Sequence, residues 1–367
     1  MEKHKMKKNI ALLLNLLCMI TLSAFAQDNQ PLRLGVAGLS HGHVWEVIRR
    51  VDRGDFVVVG VAESNDSLRA NNRLRGKIAD NLFYADLETM LTETKPEAVI
   101  VYEPIFDHLR VVEACAPKGI HVMVEKPLAV STAHAKRMAE LVNEHKIHLL
   151  TNYETTWYDS NYEAYCMVRE GKIGDIIRIN VYDGHQGPFE IGCSKEFTDW
   201  LTDPKLNGGG AVMDFGCYGA NLATWLLKGE EPISVYAILN QQKPALYPEV
   251  DDDATIIVHY RDLTVQIMAS WNWPINRKDM HIYGQKGYVY QDNATNLRVF
   301  SDTKEVKLKA PPLDTLLNDP FRYLKAVVRN QIPVNSMDLS SLDNNLLVVS
   351  ILEAAKRSAE SGDVVYF

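Results

Sequence analysis

Short apolar runs recur through the first half of the chain, and most stop at a glycine or an acidic residue. They cover residues 32–38, 56–62, 98–102, 120–124 and 147–150, lengths that suit fully buried strands. Between them the apolar period changes. Val44, Val47, Ile48 and Val51 share one helical face, and helical stretches follow over 86–94, 106–115 and 132–145. Strands alternating with helices predict a parallel, doubly wound sheet. Beyond Asn152 the rhythm differs. A helix is expected over 162–170, and strand-like runs cover 176–183, 233–240, 254–260, 264–270, 281–283 and 287–291. Neighbouring strands joined by tight turns predict an antiparallel sheet. Helices are expected over 218–227, with Leu222, Trp225 and Leu226 as its core face, and over 341–359. The expected class is α/β: a doubly wound nucleotide-binding domain over 27–151, then an α+β domain over 152–367 with a large, mostly antiparallel sheet.

The first 26 residues belong to neither domain. Lys3, Lys5, Lys7 and Lys8 precede an apolar run over 10–20, and Ala24-Phe25-Ala26 supplies small residues at a cleavage site. This is the pattern of a cleavable signal peptide, and the run is too short to span a bilayer comfortably. No small residue precedes Cys18, so a lipid anchor is not expected. The expected location is periplasmic or extracellular, and the absence of an Arg-Arg pair favours export as an unfolded chain. Removing four Lys and one Glu from 39 basic and 47 acidic residues leaves a net charge of −11. That balance argues against nucleic acid and anionic membranes as partners. Cys115, Cys166, Cys193 and Cys217 are scattered, without metal-ligand spacing.

Candidate chemistry begins at the first strand end. Gly38-Leu39-Ser40-His41-Gly42-His43 departs from G-x-G-x-x-G, with Ser40 and His43 at the second and third glycine positions. Its setting is that of a dinucleotide turn: it follows a strand and opens a helix, whose N-terminus favours a pyrophosphate. Glu63 closes the next strand, 25 residues after Gly38, and can accept the ribose hydroxyls. A carboxylate there repels a 2′-phosphate and favours NAD over NADP. His41 and His43 lack a nearby third ligand in sequence, so they are placed at the cofactor and no metal is expected. Far along the chain, Asn207-Gly208-Gly209-Gly210 leads to Asp214 and Tyr218, four apart and on one face if the helix is continuous. A carboxylate and a phenol behind a glycine-rich approach suit a substrate hydroxyl.

Glu125-Lys126-Pro127 at the fourth strand end joins these pieces. With the turn from Gly35, the run Tyr102-Glu103-Pro104 followed by His108, and the Gly-Gly-Gly stretch with Asp214 and Tyr218, the chain resembles the Gfo/Idh/MocA oxidoreductases over nearly all of its mature length. That group includes glucose–fructose oxidoreductase and inositol dehydrogenase. The resemblance implies a catalytic Lys126 and a catalytic residue at 218, where the inositol dehydrogenase branch has His and this chain has Tyr. It also implies Asp214 in the site, and Pro104, His108 and Glu125 near the cofactor. An exported enzyme lacks a maintained nicotinamide pool, so a tightly held cofactor is expected. A free phenol has a pKa of about 10, and a nearby ammonium lowers it. Lys126 and Tyr218 are therefore expected to share the substrate hydroxyl, with Asp214 on a second hydroxyl.

The substrate implied is a sugar, glycoside or polyol. Asn152, Tyr153, His185 and Trp200 are the expected contacts, from aromatic faces and amides suited to sugar C–H and hydroxyl groups. Two other readings are open: redox-neutral glycoside cleavage through a keto-sugar, and a non-catalytic sugar-binding protein. A homo-oligomer through the second sheet is also expected.

Overall fold

The computed structural model describes residues 30–71, 76–301 and 303–367. The expected signal peptide over 1–26 lies outside them. The first sheet has six parallel strands: β1 (Leu32–Ala37), β2 (Phe56–Ala62), β3 (Phe83–Tyr84), β4 (Ala98–Val101), β5 (His121–Glu125) and β6 (Leu149–Asn152). Their order, β3-β2-β1-β4-β5-β6, is that of a doubly wound dinucleotide fold. Ligands in such sheets bind outside the carboxyl ends of the strands, near the β1/β4 reversal. β5 and β6 run one and two residues past the apolar stretches that mark them. Polar pairing allows this: Asn152 Nδ2 donates to Glu125 Oε1 at 2.8 Å, and the two residues face each other in register.

The second sheet has nine strands: β7 (Ile176–Gly184), β8 (Ser234–Asn240), β9 (Asp253–His259), β10 (Thr264–Ser270), β11 (Arg277–Gly284), β12 (Gly287–Gln291), β13 (Asn296–Ser301), β14 (Lys304–Lys309) and β15 (Val365–Tyr366). Their order is β14-β13-β12-β11-β7-β10-β9-β8-β15, antiparallel throughout except for the parallel pair β7/β10. Apolar runs alone do not mark β13, β14 or β15. β14 is exposed along its whole length and carries Lys304, Lys307 and Lys309, charges that protect a sheet edge.

Two late helices tie the halves together. The helix Leu342–Ser361 buries Val348, Ile351 and Leu352 against the second sheet's core and Val349 against the first. The helix Pro320–Val328 returns to the first sheet, where Phe321, Leu324 and Val327 join the β1–β4 core. Its cap, Asp319, also accepts hydrogen bonds from Arg50 and Arg53. Among the described residues, no helix is long and apolar enough to cross a membrane.

Candidate active site

β1 runs into Gly38, whose φ of 82° a side chain rarely adopts. A Cβ there would stand 2.3 Å from Glu103 Cγ, so glycine lets the turn press against the end of β4. Leu39 N–H then donates to Glu63 Oε2 at 2.9 Å, and Asn65 N–H donates to Oε1 at 2.8 Å. Glu63 thus braces the turn as well as facing the cleft. His41 N–H binds Tyr102 O at 3.0 Å, and the His41 ring lies between Tyr102, Phe197 and Trp200. Burial, then the neighbouring His43, holds the His41 imidazole well below its usual pKa, hence neutral.

His43 Nδ1 lies 3.1 Å from Glu125 Oε2. Burial opposes charge on Glu125, but His43, His41 and the Asn152 amide outweigh it and bring its pKa down to about 2. One possible donor atom each from His41, His43 and Glu125 lies within 4.8 Å of the others. Sequence spacing could not reveal this third donor, which arrives from β5. The His43 ring and Glu125 are paired side chain to side chain, and the main-chain N–H of His43 donates to His41 Nδ1 at 3.0 Å.

Lys126 and the glycine-rich stretch meet across the two sheets. Gly210 N–H and Val212 N–H donate to the two oxygens of Asp251 at 2.8 and 2.7 Å, which fixes the approach. A Cβ on Gly210 would stand 1.8 Å from Asp251 O. The helix expected to carry both Asp214 and Tyr218 is broken: Ala211–Asp214 is one short segment, Gly216–Leu226 the next, and Phe215 divides them at φ −114°. Asp214 therefore ends one segment and Tyr218 lies in the next. Lys126 Nζ pairs with Asp214 Oδ1 and lies 2.9 Å from Asp214 O, while Asp214 Oδ2 accepts from Trp271 Nε1 at 2.9 Å. Burial opposes charge on both partners, yet the pairing wins: the Lys126 pKa is raised and the Asp214 pKa lowered.

Tyr218 is 2% exposed, and its ring centroid lies 5.2 Å from Lys126 Nζ. Its pKa is not lowered as expected but pushed well up, by burial first and then by the charge of Glu154. The expectation assumed a free ammonium, whereas Asp214 takes up the charge of Lys126. Both Asp214 carboxylate oxygens have protein partners, which also differs from the expected contact with a second substrate hydroxyl.

These groups open on one cleft of about 580 Å³, lined by Ser40, His41, Gly42, His43, Lys126, His185, Asp214 and Tyr218, with Phe197, Phe215 and Lys278. A second cavity of about 460 Å³ shares Ser40, Ser67, Leu68 and Glu196 with it and is lined by Glu63, Glu103, Pro104, Arg110 and Trp200. The Trp200 Nε1–H is buried without a protein partner. His185 Nδ1 accepts from Gly187 N–H at 2.9 Å, and burial lowers the ring's pKa. A neutral His185 therefore carries its proton on Nε2 and acts as a donor.

Other expected site residues stand behind the cleft. Gly38 underlies the turn. His108 is fully buried, its Nδ1 3.1 Å from Leu128 O and its pKa lowered to about 4 by burial. Asn152 holds Glu125 and accepts from Trp157 Nε1 at 3.0 Å. Tyr153 is fully buried and donates to Asn345 Oδ1 at 2.9 Å. Asn152 and Tyr153 therefore support the site rather than line it. Sequence reading missed Phe197 and Lys278, both at the cleft wall.

A parallel sheet with a nucleotide turn, facing a lysine–carboxylate pair and a buried phenol, defines a class of two-domain oxidoreductases. Residues 32–153 match the model of an oxidoreductase family with an NAD-binding Rossmann fold, and residues 163–290 match the GFO/IDH/MocA C-terminal domain. The chain belongs to the Gfo/Idh/MocA family of oxidoreductases. It is 26% identical over 212 residues to a D-xylose 1-dehydrogenase [NADP(+)] of Haloarcula marismortui, covering 57% of this chain and 58% of that enzyme. Identity to a D-xylose 1-dehydrogenase (NADP(+)) of Haloferax volcanii is 24%, over 90% of this chain and 98% of that one. A myo-inositol 2-dehydrogenase of Thermotoga maritima is 24% identical over 73% and 77% of the two chains. The fold matches that of an aldose–aldose oxidoreductase from Caulobacter crescentus complexed with glycerol, with TM-score 0.78, 22% identity and coverage of 92% of this chain and 100% of that one.

Proposed function

We propose that the protein is an NAD(P)-dependent dehydrogenase of a sugar or polyol hydroxyl, exported after removal of residues 1–26, with 27–151 holding the nucleotide and 152–367 the substrate. The observation that carries this reading is the meeting of Lys126, at the end of β5, and Tyr218, from the helix Gly216–Leu226, in a cleft continuous with the turn at Gly38. The orphaned Trp200 donor and the open space around Gly42, where a Cβ would meet no atom within 4 Å, fit a dinucleotide along Ser40, Glu63 and Trp200. Bound there, the nicotinamide supplies the acceptor or donor of hydrogen at the substrate carbon. Glu63 favours NAD, and steady-state comparison of NAD with NADP tests that choice.

The chain's own groups handle the proton. Lys126 keeps its charge and stabilises negative charge on the substrate oxygen. No hydrogen bond links the Tyr218 hydroxyl to another described residue, and its raised pKa keeps it protonated near neutral pH. In that state it suits donation to a carbonyl in the reducing direction. Oxidation needs the phenolate. The expected result is an oxidation rate that climbs with pH through the neutral and alkaline range, while reduction stays flat there. Initial rates in both directions across pH measure this.

Glu103 lines the nucleotide cavity. Burial, opposed by Arg110, raises its pKa to about 7. This value exceeds the ordinary 4.5, so the neutral form dominates below pH 7, and the site gains a negative charge as pH rises through 7. Nucleotide Kd should rise about two- to fivefold between pH 6 and 8, the size of a partly screened like-charge contact. Fluorescence titration measures it, and Glu103→Gln should remove the difference.

The outer face of the second sheet carries stacked rings, including His281 on Tyr290 at 4.1 Å and Tyr288 on Tyr290 at 4.2 Å. This belt supports a homo-oligomer, and light scattering of the purified protein reads its mass.

A further inference from the structure

Lys278 enters the cleft from β11, directly opposite Asp183 of β7. It shares its strand face with Met280 and Ile282, both fully buried, and its side chain is only 12% exposed. A charged side chain on the core-facing side of a sheet needs compensation. Its ammonium stands 5.2 Å from the Tyr218 ring centroid, the same distance as that of Lys126. The two cations differ in their partners. Lys126 is held by the carboxylate and the main-chain oxygen of Asp214, with that carboxylate 6% exposed. Among the described residues the ion pair of Lys278 is with Glu154 alone, whose side chain is 47% exposed and also accepts from Tyr158 Oη at 2.6 Å.

Asp183 offers Lys278 no charge. Its two oxygens are buried without a hydrogen-bond partner, and burial pushes its pKa well up, so it stays neutral. Among the described residues, the charged and titratable groups around Tyr218 are then Asp214 and Cys217 beside it in the chain, Glu125 and Lys126 from the end of β5, Tyr153, a phenol kept neutral by burial, and Glu154 beyond β6, Asp183 and His185 from β7 and its end, and Lys278 from β11. Asp214 balances Lys126, and the His43 imidazole engages Glu125. What remains adjustable is the pair Lys278–Glu154.

We infer that Lys278 and Glu154 form the charge pair that sets the acidity of Tyr218, and with it the pH at which hydroxyl oxidation becomes fast. Lys278 acts through Tyr218 as a positioning residue. The inference rests on the role given to Tyr218 under the proposed function. Lys278 favours the phenolate, and Glu154 holds that effect in check. Removing the carboxylate leaves an unbalanced ammonium beside the phenol. Removing the ammonium leaves an unbalanced carboxylate.

The test is the pH profile of oxidation, paired with an absorbance titration of tyrosinate read as the difference between each protein and its Tyr218→Phe counterpart. Glu154→Gln should move both curves about one pH unit lower, and Lys278→Met should move both at least as far upward. Lys278→Arg, which keeps the charge, should restore the parent position and separates charge from folding. Curves that stay in place in Glu154→Gln and Lys278→Met overturn the inference even if the parent enzyme oxidises its substrate. A parent that oxidises no sugar or polyol overturns the proposed function instead, and the tyrosinate titration then still decides whether Lys278 and Glu154 control Tyr218.

Discussion

Tyr218→Phe is expected to bind nucleotide as the parent does and to lose at least a hundredfold in turnover. The substitution removes one oxygen from a ring packed edge-on against Tyr153 at 5.4 Å and close to Phe215 at 6.0 Å, so the packing of the ring is retained. The deleted hydroxyl makes no hydrogen bond to another described residue, and its loss leaves no buried group newly unpaired. Stability should change little. General acid–base groups contribute about 10²–10⁴ in rate. The deficit should fall on kcat, with nucleotide Kd unchanged, as checked by steady-state kinetics beside fluorescence titration. A variant with full activity would remove Tyr218 from the mechanism.

Lys126→Met has two consequences. Turnover should fall about a thousandfold, because the positive charge facing the substrate oxygen is gone. Stability should also fall, by about 3–5 kcal/mol, the usual result of removing one member of a buried ion pair. Asp214 is 5% exposed and would keep only the Trp271 indole as a side-chain donor. The double variant Lys126→Met/Asp214→Asn removes the stranded charge and should recover most of the melting temperature while remaining inactive. Thermal denaturation and kinetics of the three proteins separate the structural part of Lys126 from the chemical part. Recovery of activity together with stability would mean that the ammonium is not needed for the reaction.

Much of the scaffold is legible in the sequence because its signals are local. β2 and β10 and the helix Thr132–His145 coincide with their apolar runs or helical spacing, and Gly38, Glu63 and Lys126 stand at strand ends where open sheets collect ligands. What escapes depends on partners distant in sequence. The apolar pattern marks β11 only over 281–283, because Arg277-Lys278-Asp279 is charged. Counting back by twos from Ile282 through Met280 reaches Lys278, and a lysine on that apolar face is the available signal. Tyr153 reads as a sugar contact by composition, but Asn345, 192 residues later, takes its hydroxyl into the core. The same limit explains Tyr218. Four-residue spacing to Asp214 is visible, but not the break at Phe215, the pairing of Asp214 with Lys126 or the burial that keeps the phenol protonated. The third group beside His41 and His43 is likewise hidden, since Glu125 reaches them from another strand.

The most direct measurement follows a labelled hydrogen. The purified protein is incubated with oxidised nucleotide and sugars or polyols carrying deuterium at the alcohol carbons, and the nucleotide is analysed by mass spectrometry. The predicted result is deuterium moved from one substrate carbon into the reduced nicotinamide, strongly diminished in Tyr218→Phe and Lys126→Met. Nucleotide that binds but gains no deuterium from any of them, or label transfer undiminished in both variants, would contradict hydrogen transfer governed by Lys126 and Tyr218.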